Sequence, residues 1–365
     1  MRLNVATNWD RRLYEELAGL PVGTYYGKLR EDIVGGGRPS HLLPEVSRAE
    51  VAQQVKLIHQ QGAEFNYVLN SACLGNREYQ DHFKRELFEL LGWLVDIGTD
   101  MVSVAVPYLI EIIKNHFPSL KVSASIFCHI DNLHMAQFYE QLGVDEITLL
   151  QSLTRLPSVL KSYRQALKVD LQVIVNNACL FGCPYRRYHS NINSHSSQCD
   201  YEFNQVNIDY PVLNCTQTRL MNPAEIIRSP WIRPEDLHYL EEVGIDKFKI
   251  AGRTKSTEWL IKVTKAYAER RSGANTASVI NFPHGSGAAV SGLGENFPTV
   301  DIFIDNARLD GYFEFFLDKN CRELDCRKCR YCDQIASKTV LIDEEARQQV
   351  LKTYEQAINK LQEKI

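Results

Sequence analysis

Short runs rich in Val and Ile alternate with longer amphipathic stretches over roughly the first 270 residues. The short runs are LNVAT (3–7), VGTYYG (22–27), EFNYVLN (64–70), MVSVAV (101–106), KVSASIF (121–127), EITLLQS (146–152), LQVIVNNA (171–178) and KFKIAG (247–252). Each reads as a β-strand of the kind buried on both faces. The stretches between them carry helix signals. SRAEVAQQVKLIHQQGA opens on a Ser47 N-cap with Glu50 at the capping-box position, repeats Val51, Val55 and Ile58 on one face, and stops at Gly62. WIRPEDLHYLEEVGIDKFKI predicts a helix started by Pro234 that runs through Gly244 into the eighth strand. Eight β/α alternations predict an α/β fold, a TIM-like (β/α)8 barrel, with an open doubly wound sheet as the alternative.

Two departures from the alternation stand out. After the second strand come about 35 residues that include GGGRPS (35–40), expected to pack as an irregular segment across the barrel. Between the seventh and eighth strands, residues 179–230 carry cysteines and histidines but few strong helical patterns. A loop of this length inside a compact domain is functional or disordered, and in a barrel it lies on the C-terminal face, where active sites are built. The predicted organisation is therefore a barrel domain over 1–272 containing the 179–230 insert, followed by a C-terminal extension over 273–365 with a cysteine run and a terminal helix.

Composition narrows the class. The 365 residues are 44% hydrophobic and 24% charged, as in ordinary globular proteins. A net charge of −4 does not advertise nucleic acid or an anionic membrane as a partner, although a local basic groove is compatible with it. No apolar run reaches the ~20 residues of a membrane span, and the N-terminus shows no secretory signal, so a cytoplasmic location is expected. In that compartment ten cysteines do not form a disulfide framework, and their clustering points to metal or iron–sulfur ligation.

The first constellation is Cys179, Cys183, Cys199 and Cys215, beginning directly after the seventh strand. Four thiolates can hold a [4Fe–4S] cluster or a tetrahedral zinc. Cys73, in the loop after the third strand, is an alternative fourth ligand to Cys199, and Cys128 reads as a buried thiol. A radical-SAM spacing would need a cysteine where Arg186 stands. The second constellation, Cys321, Cys326, Cys329 and Cys332, predicts a second iron–sulfur cluster or a zinc. Strand ends add Asn70, His129, Asn176, Asn177, Lys249 and Arg253 around the barrel mouth, and CPYRRYH adds Arg186 and His189. Of these, Lys249, Arg253, His189 and Asn70 are the catalytic candidates, and Arg186, Asn176 and His129 the substrate-binding ones. The Gly-rich PHGSGAAVSGLG (283–294) is weak as a phosphate loop, and no serine-hydrolase elbow, zincin motif or Walker A is present.

Three stretches carry a family resemblance: NNACLFGCPYRRYH (176–189), SPWIRPEDLHYLEEVGIDKFKIAGRTKSTEWL (229–260) and RAEVAQQVKLIHQQGAEFNYVLNS (48–71). Together they resemble the collagenase-like peptidase family U-32 over most of residues 1–270. The resemblance implies an α/β barrel and, in many members, a cysteine-bound [4Fe–4S] cluster. It carries onto Cys179, Cys183 and Cys215, and less closely onto Cys199. Members of the family include oxygen-independent hydroxylation proteins for ubiquinone and RNA, and others described as proteases. The family's Lys-Ile-Glu-Gly-Arg motif has Ala251 in place of its Glu, so only Lys249, Gly252 and Arg253 carry over.

These observations point to an iron–sulfur redox enzyme that hydroxylates a small aromatic or a nucleobase without oxygen. Its substrate would be a small molecule or RNA, and its partners an electron donor or a related subunit. A metal-dependent peptidase and a non-catalytic iron–sulfur subunit are the rivals. With no carboxylate at position 251, a bound anion is the expected partner of Lys249, with Glu235 and Asp236 as protein competitors.

Overall fold

In the computed structural model, which describes residues 1–199, 210–282 and 298–363, all eight predicted strands close into one parallel barrel. They are β1 (Arg2–Ala6), β2 (Val22–Gly27), β3 (Glu64–Leu69), β4 (Met101–Val104), β5 (Lys121–Ala124), β6 (Glu146–Thr148), β7 (Asp170–Ile174) and β8 (Lys247–Ile250). Each pairs with the next in sequence, and β1 pairs with β8, Asn4 facing Lys249 in register. The helices around the barrel are α1 (Arg11–Glu16), α2 (Arg48–Gln60), α3 (Asp81–Asp96), α4 (Pro107–His116), α5 (Leu133–Gln141) and α6 (Pro157–Ala166). The insert forms α7 (Arg186–His195), α8 (Tyr210–Met221) and α9 (Ala224–Arg228), and α10 (His238–Glu241) and α11 (Thr257–Ala268) flank β8. The Gly-rich segment 283–294 lies outside the described residues.

Local signals explain most of these boundaries. Ser47 and Glu50 make the reciprocal capping box at the start of α2, and Val51, Val55 and Ile58 are its buried face. Ser256 caps α11 by accepting from the Trp259 N–H. Pro234 opens a 3₁₀ turn (Pro234–Leu237) before α10, where the sequence predicts one continuous helix.

The barrel interior is less apolar than the strand sequences suggest. Val68, Thr148, Ile174 and Lys249 line the cavity at the mouth. By the two-residue period of a strand, Asn66, Glu146, Gln172 and Lys247 lie one layer below them. That layer is a hydrogen-bonded floor. Ser123 Oγ and Gln172 Nε2 donate to Glu146 Oε1 at 2.8 and 2.9 Å, and Lys247 Nζ donates to Glu146 Oε2 at 2.8 Å. Ser103 Oγ donates to Asn66 Oδ1 at 2.9 Å. The Glu146 and Lys247 charges are tolerated inside the barrel because they face each other and the carboxylate accepts two further hydrogen bonds.

The C-terminal residues pack against the insert and the barrel. β9 (Ile302–Ile304) and β10 (Val340–Ile342) form an antiparallel pair, and α12 (Cys326–Cys329) and α13 (Tyr331–Thr339) precede the last helix, α14 (Glu344–Gln362). Tyr312, Phe313 and Phe316 join the main core, with Tyr312 stacked on the buried Trp231 at 5.6 Å. A second, smaller core joins Leu213 and Leu220 of α8 to Val350, Tyr354, Ala357 and Ile358 of α14.

Candidate active site at the barrel mouth

A cavity of about 150 Å³ opens at the C-terminal ends of the strands, under the insert. Strand ends supply Tyr26, Asn70, Asn177, Lys249 and Arg253 to its wall, and the insert supplies Cys179, Cys183, Arg186 and His189. The sequence thus brings most of its candidate residues to one place. The segment GGGRPS does pack across the mouth. Gly36 N–H donates to Ser197 Oγ at 2.7 Å, and Gly37 N–H donates to Asn70 Oδ1 at 2.9 Å. Glycine is required at 35, and at 37 any larger residue must displace a neighbour. Gly35 has φ +79° with Ser197 Oγ 2.8 Å from where a Cβ would stand, and at Gly37 the Phe127 ring lies 2.9 Å from that point.

The wall is cationic. Lys249 is partly buried, with its Nζ 4.2 Å from the centroid of the Tyr26 ring. Burial pushes its pKa down to about 8, against the attraction of the Glu146 carboxylate, and Arg253 pushes it further the same way. Arg253 is buried, and its Nη1 has no hydrogen-bond partner among the described residues. Burial and the neighbouring Arg38 push its pKa down to about 10. Arg186 Nη2 is likewise buried and unpartnered among the described residues. No Asp or Glu is among the described residues lining the cavity. Glu235 and Asp236, expected as competitors for Lys249, are committed elsewhere. Glu235 accepts from Ser272 and Asn306, and Asp236 from Arg233.

The thiols flank these cations. Burial raises the Cys179 pKa to about 11, and the neighbouring Cys215 and Cys183 thiols add to the rise while Arg186 and Arg219 oppose it, so the three cysteines form one electrostatic group. Arg219 fastens α8 to the end of the seventh strand region, donating to Ala178 O at 2.9 Å. Gln151 Nε2 lies 3.9 Å from Cys179 Sγ. Cys199 is exposed, its N–H toward Asp32 O at 3.5 Å, while Cys73 Sγ accepts from Gly75 N–H at 3.4 Å. Gln198 Nε2 donates to Cys73 O at 2.6 Å, so the loops bearing Cys73 and Cys199 meet. Cys128 is buried under Val104 O and Ala105 O, and burial raises its pKa to about 12. The residues that fit a cluster here are cysteines with cationic neighbours to offset thiolate charge. Among the described residues no three His, Cys, Asp or Glu side chains are grouped to hold a single metal ion. The four C-terminal cysteines line a different, small cavity.

Three of the predicted residues take positions that sequence could not foresee. Asn176 does not line the cavity; its Nδ2 donates to Ala251 O and Val279 O and its Oδ1 accepts from Ala251 N–H, pinning the end of β8. Asn70 lines the cavity but spends both amide ends on Gly37 N–H and Ser125 Oγ, holding the glycine segment in place. His129 stands behind the wall, at φ +53° after a 3₁₀ turn, with Nε2 3.3 Å from Ser190 Oγ. Burial and then Arg186 and Arg187 lower its pKa to about 4, so it is neutral at pH 7 and cannot attract an anion by charge. Sequence reasoning missed Arg38 and Tyr26. Arg38 follows the three glycines, and that adjacency is the signal that could have found it.

Comparison with known proteins follows the same lines. The model of peptidase family U32 matches residues 42–279. An uncharacterized protease of Methanocaldococcus jannaschii is 31% identical over 85% of this chain and 87% of its own length. The tRNA hydroxylation protein P2 of Bacillus subtilis is 26% identical over 62% of this chain and 74% of its own length. A solved U32 peptidase structure aligns with a TM-score of 0.52 and 23% identity, covering 69% of this chain and 92% of that one. No described helix is long and apolar enough to cross a membrane.

Proposed function

The chain belongs to peptidase family U32, and from that membership and the mouth cavity we propose that it is an iron–sulfur redox enzyme that hydroxylates a nucleobase or small aromatic without molecular oxygen. The observation that carries this reading is that thiols and cations share one wall that bears no carboxylate among the described residues: Cys179 and Cys183 line the same cavity as Lys249, Arg253 and Arg186. Its relatives named as tRNA hydroxylation proteins, in Bacillus subtilis and Escherichia coli, support hydroxylation and an RNA substrate.

Cys179, Cys183 and Cys215, with Cys199 or Cys73, would hold a [4Fe–4S] cluster, which supplies one-electron transfer when bound. Replacing C–H by C–OH with oxygen from water releases two electrons and two protons, so the reaction needs an electron acceptor. The chain's own residues bind and orient. Lys249, Arg253, Arg186 and Arg38 hold an anionic substrate or co-substrate through charge-assisted hydrogen bonds. His189, on the first turns of α7, is the wall residue whose imidazole would give or take a proton at the substrate. The glycine segment excludes water from the mouth.

The relatives' protease names support the peptidase reading, which needs a metal with an open position and a general base. The described cavity wall supplies no carboxylate for that base. The test is anaerobic purification with iron and sulfide counts, followed by incubation with bulk tRNA and a one-electron acceptor. Nucleoside mass spectrometry should show the gain of one oxygen, abolished in Lys249→Met. Iron-free protein that cleaves a peptide library and leaves tRNA unchanged would establish the rival.

A further inference from the structure

The C-terminal cysteines lie outside the stretch matched by the family model, which ends at residue 279. Cys321, Cys326, Cys329 and Cys332 nonetheless gather: all four line one small cavity between the C-terminal segment and α9, although no three of them are grouped to hold a single metal ion. The backbone is shaped for this. Asp325 caps α12 by accepting from Arg327 N–H, so Cys326 and Cys329 sit three residues apart on one helical face. Arg330 then takes the left-handed conformation at φ +55°, and α13 restarts at Tyr331, which brings Cys332 back to the same point. A side chain in that region of φ/ψ space is uncommon, and here it makes the turn between two cysteines.

A second observation comes from the barrel side. Arg155 is 2% exposed, yet no carboxylate pairs with it among the described residues. Its Nη1 donates to Ile227 O and Ser229 O, its Nη2 lies 3.7 Å from Cys332 Sγ, and its Nε is buried without a partner among the described residues. The guanidinium also lies over the Phe316 ring at 3.8 Å. A buried guanidinium needs a counter-charge. Metal-bound cysteines are thiolates and would supply it.

We propose that Cys321, Cys326, Cys329 and Cys332 bind an iron–sulfur cluster of their own, separate from the barrel mouth, and that Arg155 is its positioning residue and counter-charge. The run Cys326-x2-Cys329-x2-Cys332 matches the close spacing with which ferredoxin-like sites take up iron–sulfur clusters. Arg155 acts on it through Cys332: a hydrogen bond and a positive charge at a ligand sulfur stabilise the reduced, more negative cluster and raise its reduction potential.

The experiment uses the full chain purified anaerobically and made independent of the first site by Cys179→Ala/Cys183→Ala. This variant should retain about four iron and four sulfide per chain, with a reduced-state EPR signal. Adding Cys326→Ser, at an exposed position, together with Cys329→Ser should remove both. Within the first-site variant, Arg155→Gln should keep the iron and lower the midpoint potential, with Arg155→Lys restoring part of the shift. Zinc at one per chain, or no metal at all, in the first-site variant overturns the cluster assignment whatever the mouth site holds. A folded, iron-loaded Arg155→Gln protein with an unchanged potential overturns the role of Arg155.

Discussion

Replacing Lys249 by Met should make the protein more stable at neutral pH while destroying its affinity for anions. The ammonium is held among apolar and cationic neighbours with no acceptor of its own among the described residues, and its pKa is about 8 in place of 10.5. Keeping it charged at pH 7 therefore costs the fold about 3 kcal/mol relative to water. The Tyr26 ring returns up to about 2 kcal/mol of that by cation–π attraction. The net gain on replacement is about 1–3 kcal/mol. The sign of its pH dependence follows from linkage: between pH 8 and 10.5 the unfolded chain binds the proton and the folded chain does not, so wild-type stability rises through that window. The advantage of Lys249→Met should thus shrink by more than half by about pH 9.5. Urea unfolding of both proteins at the two pH values, in buffers free of oxyanions, measures this difference, and all other titrations cancel. Added phosphate should stabilise the wild type and not the variant. A variant that is less stable at pH 7, by the same amount at both pH values and with unchanged response to phosphate, would show that Lys249 is a packing residue and that the anion site is misassigned.

Anion affinity of the wild type should itself fall as pH rises from 7 to 9, approaching tenfold per pH unit above the Lys249 pKa, as read by phosphate-induced thermal shifts. Of Cys199→Ala and Cys73→Ala, the change that removes the fourth ligand should lower the iron content of the mouth site while the other leaves it; iron analysis in a background lacking the C-terminal cysteines tells them apart. Gly37→Ala should drive the loop off the Phe127 ring, costing about 1–3 kcal/mol in denaturant unfolding and weakening anion binding more than its stability loss accounts for. Glu146→Gln should destabilise the barrel by roughly 3–5 kcal/mol, since it leaves Lys247 in the interior with only the half-exposed Asp170 as a charged partner.

The barrel was legible because its strands are punctuated by caps and glycine stops that act locally, as at Ser47 and Gly62. Residues that carry their signal in three dimensions were harder to read. Glu146 and Lys247 look like strand-edge charges in sequence, and only closure of the barrel places them together in its floor. Helix α7 escaped notice because its buried face is Ser190, Asn193 and Ser194, a polar stripe that satisfies itself through hydrogen bonds and so shows no hydrophobic period. At the mouth, Lys249, Arg253, Arg186 and His189 were found from strand ends and composition, because barrel topology directs such positions to one face. The roles of Asn70 and Asn176 were not, since an amide that binds a ligand and one that pins a backbone are identical in sequence. The convergence of the C-terminal cysteines was the reverse case, because their close spacing left little freedom to diverge.

The small core shared by α8 and α14 couples two distant parts of the chain. α8 carries Cys215, and its apolar face is completed by Tyr354, Ala357 and Ile358 rather than by the barrel alone. Opening of α14 would therefore uncover α8, so the two helices should behave as one cooperative unit in native-state hydrogen exchange, with amide protection that rises and falls together. If Cys215 holds the proposed cluster, binding would stabilise only the closed form of that unit, and loading of the mouth site would slow exchange in α14, although no described residue of that helix lines the cavity.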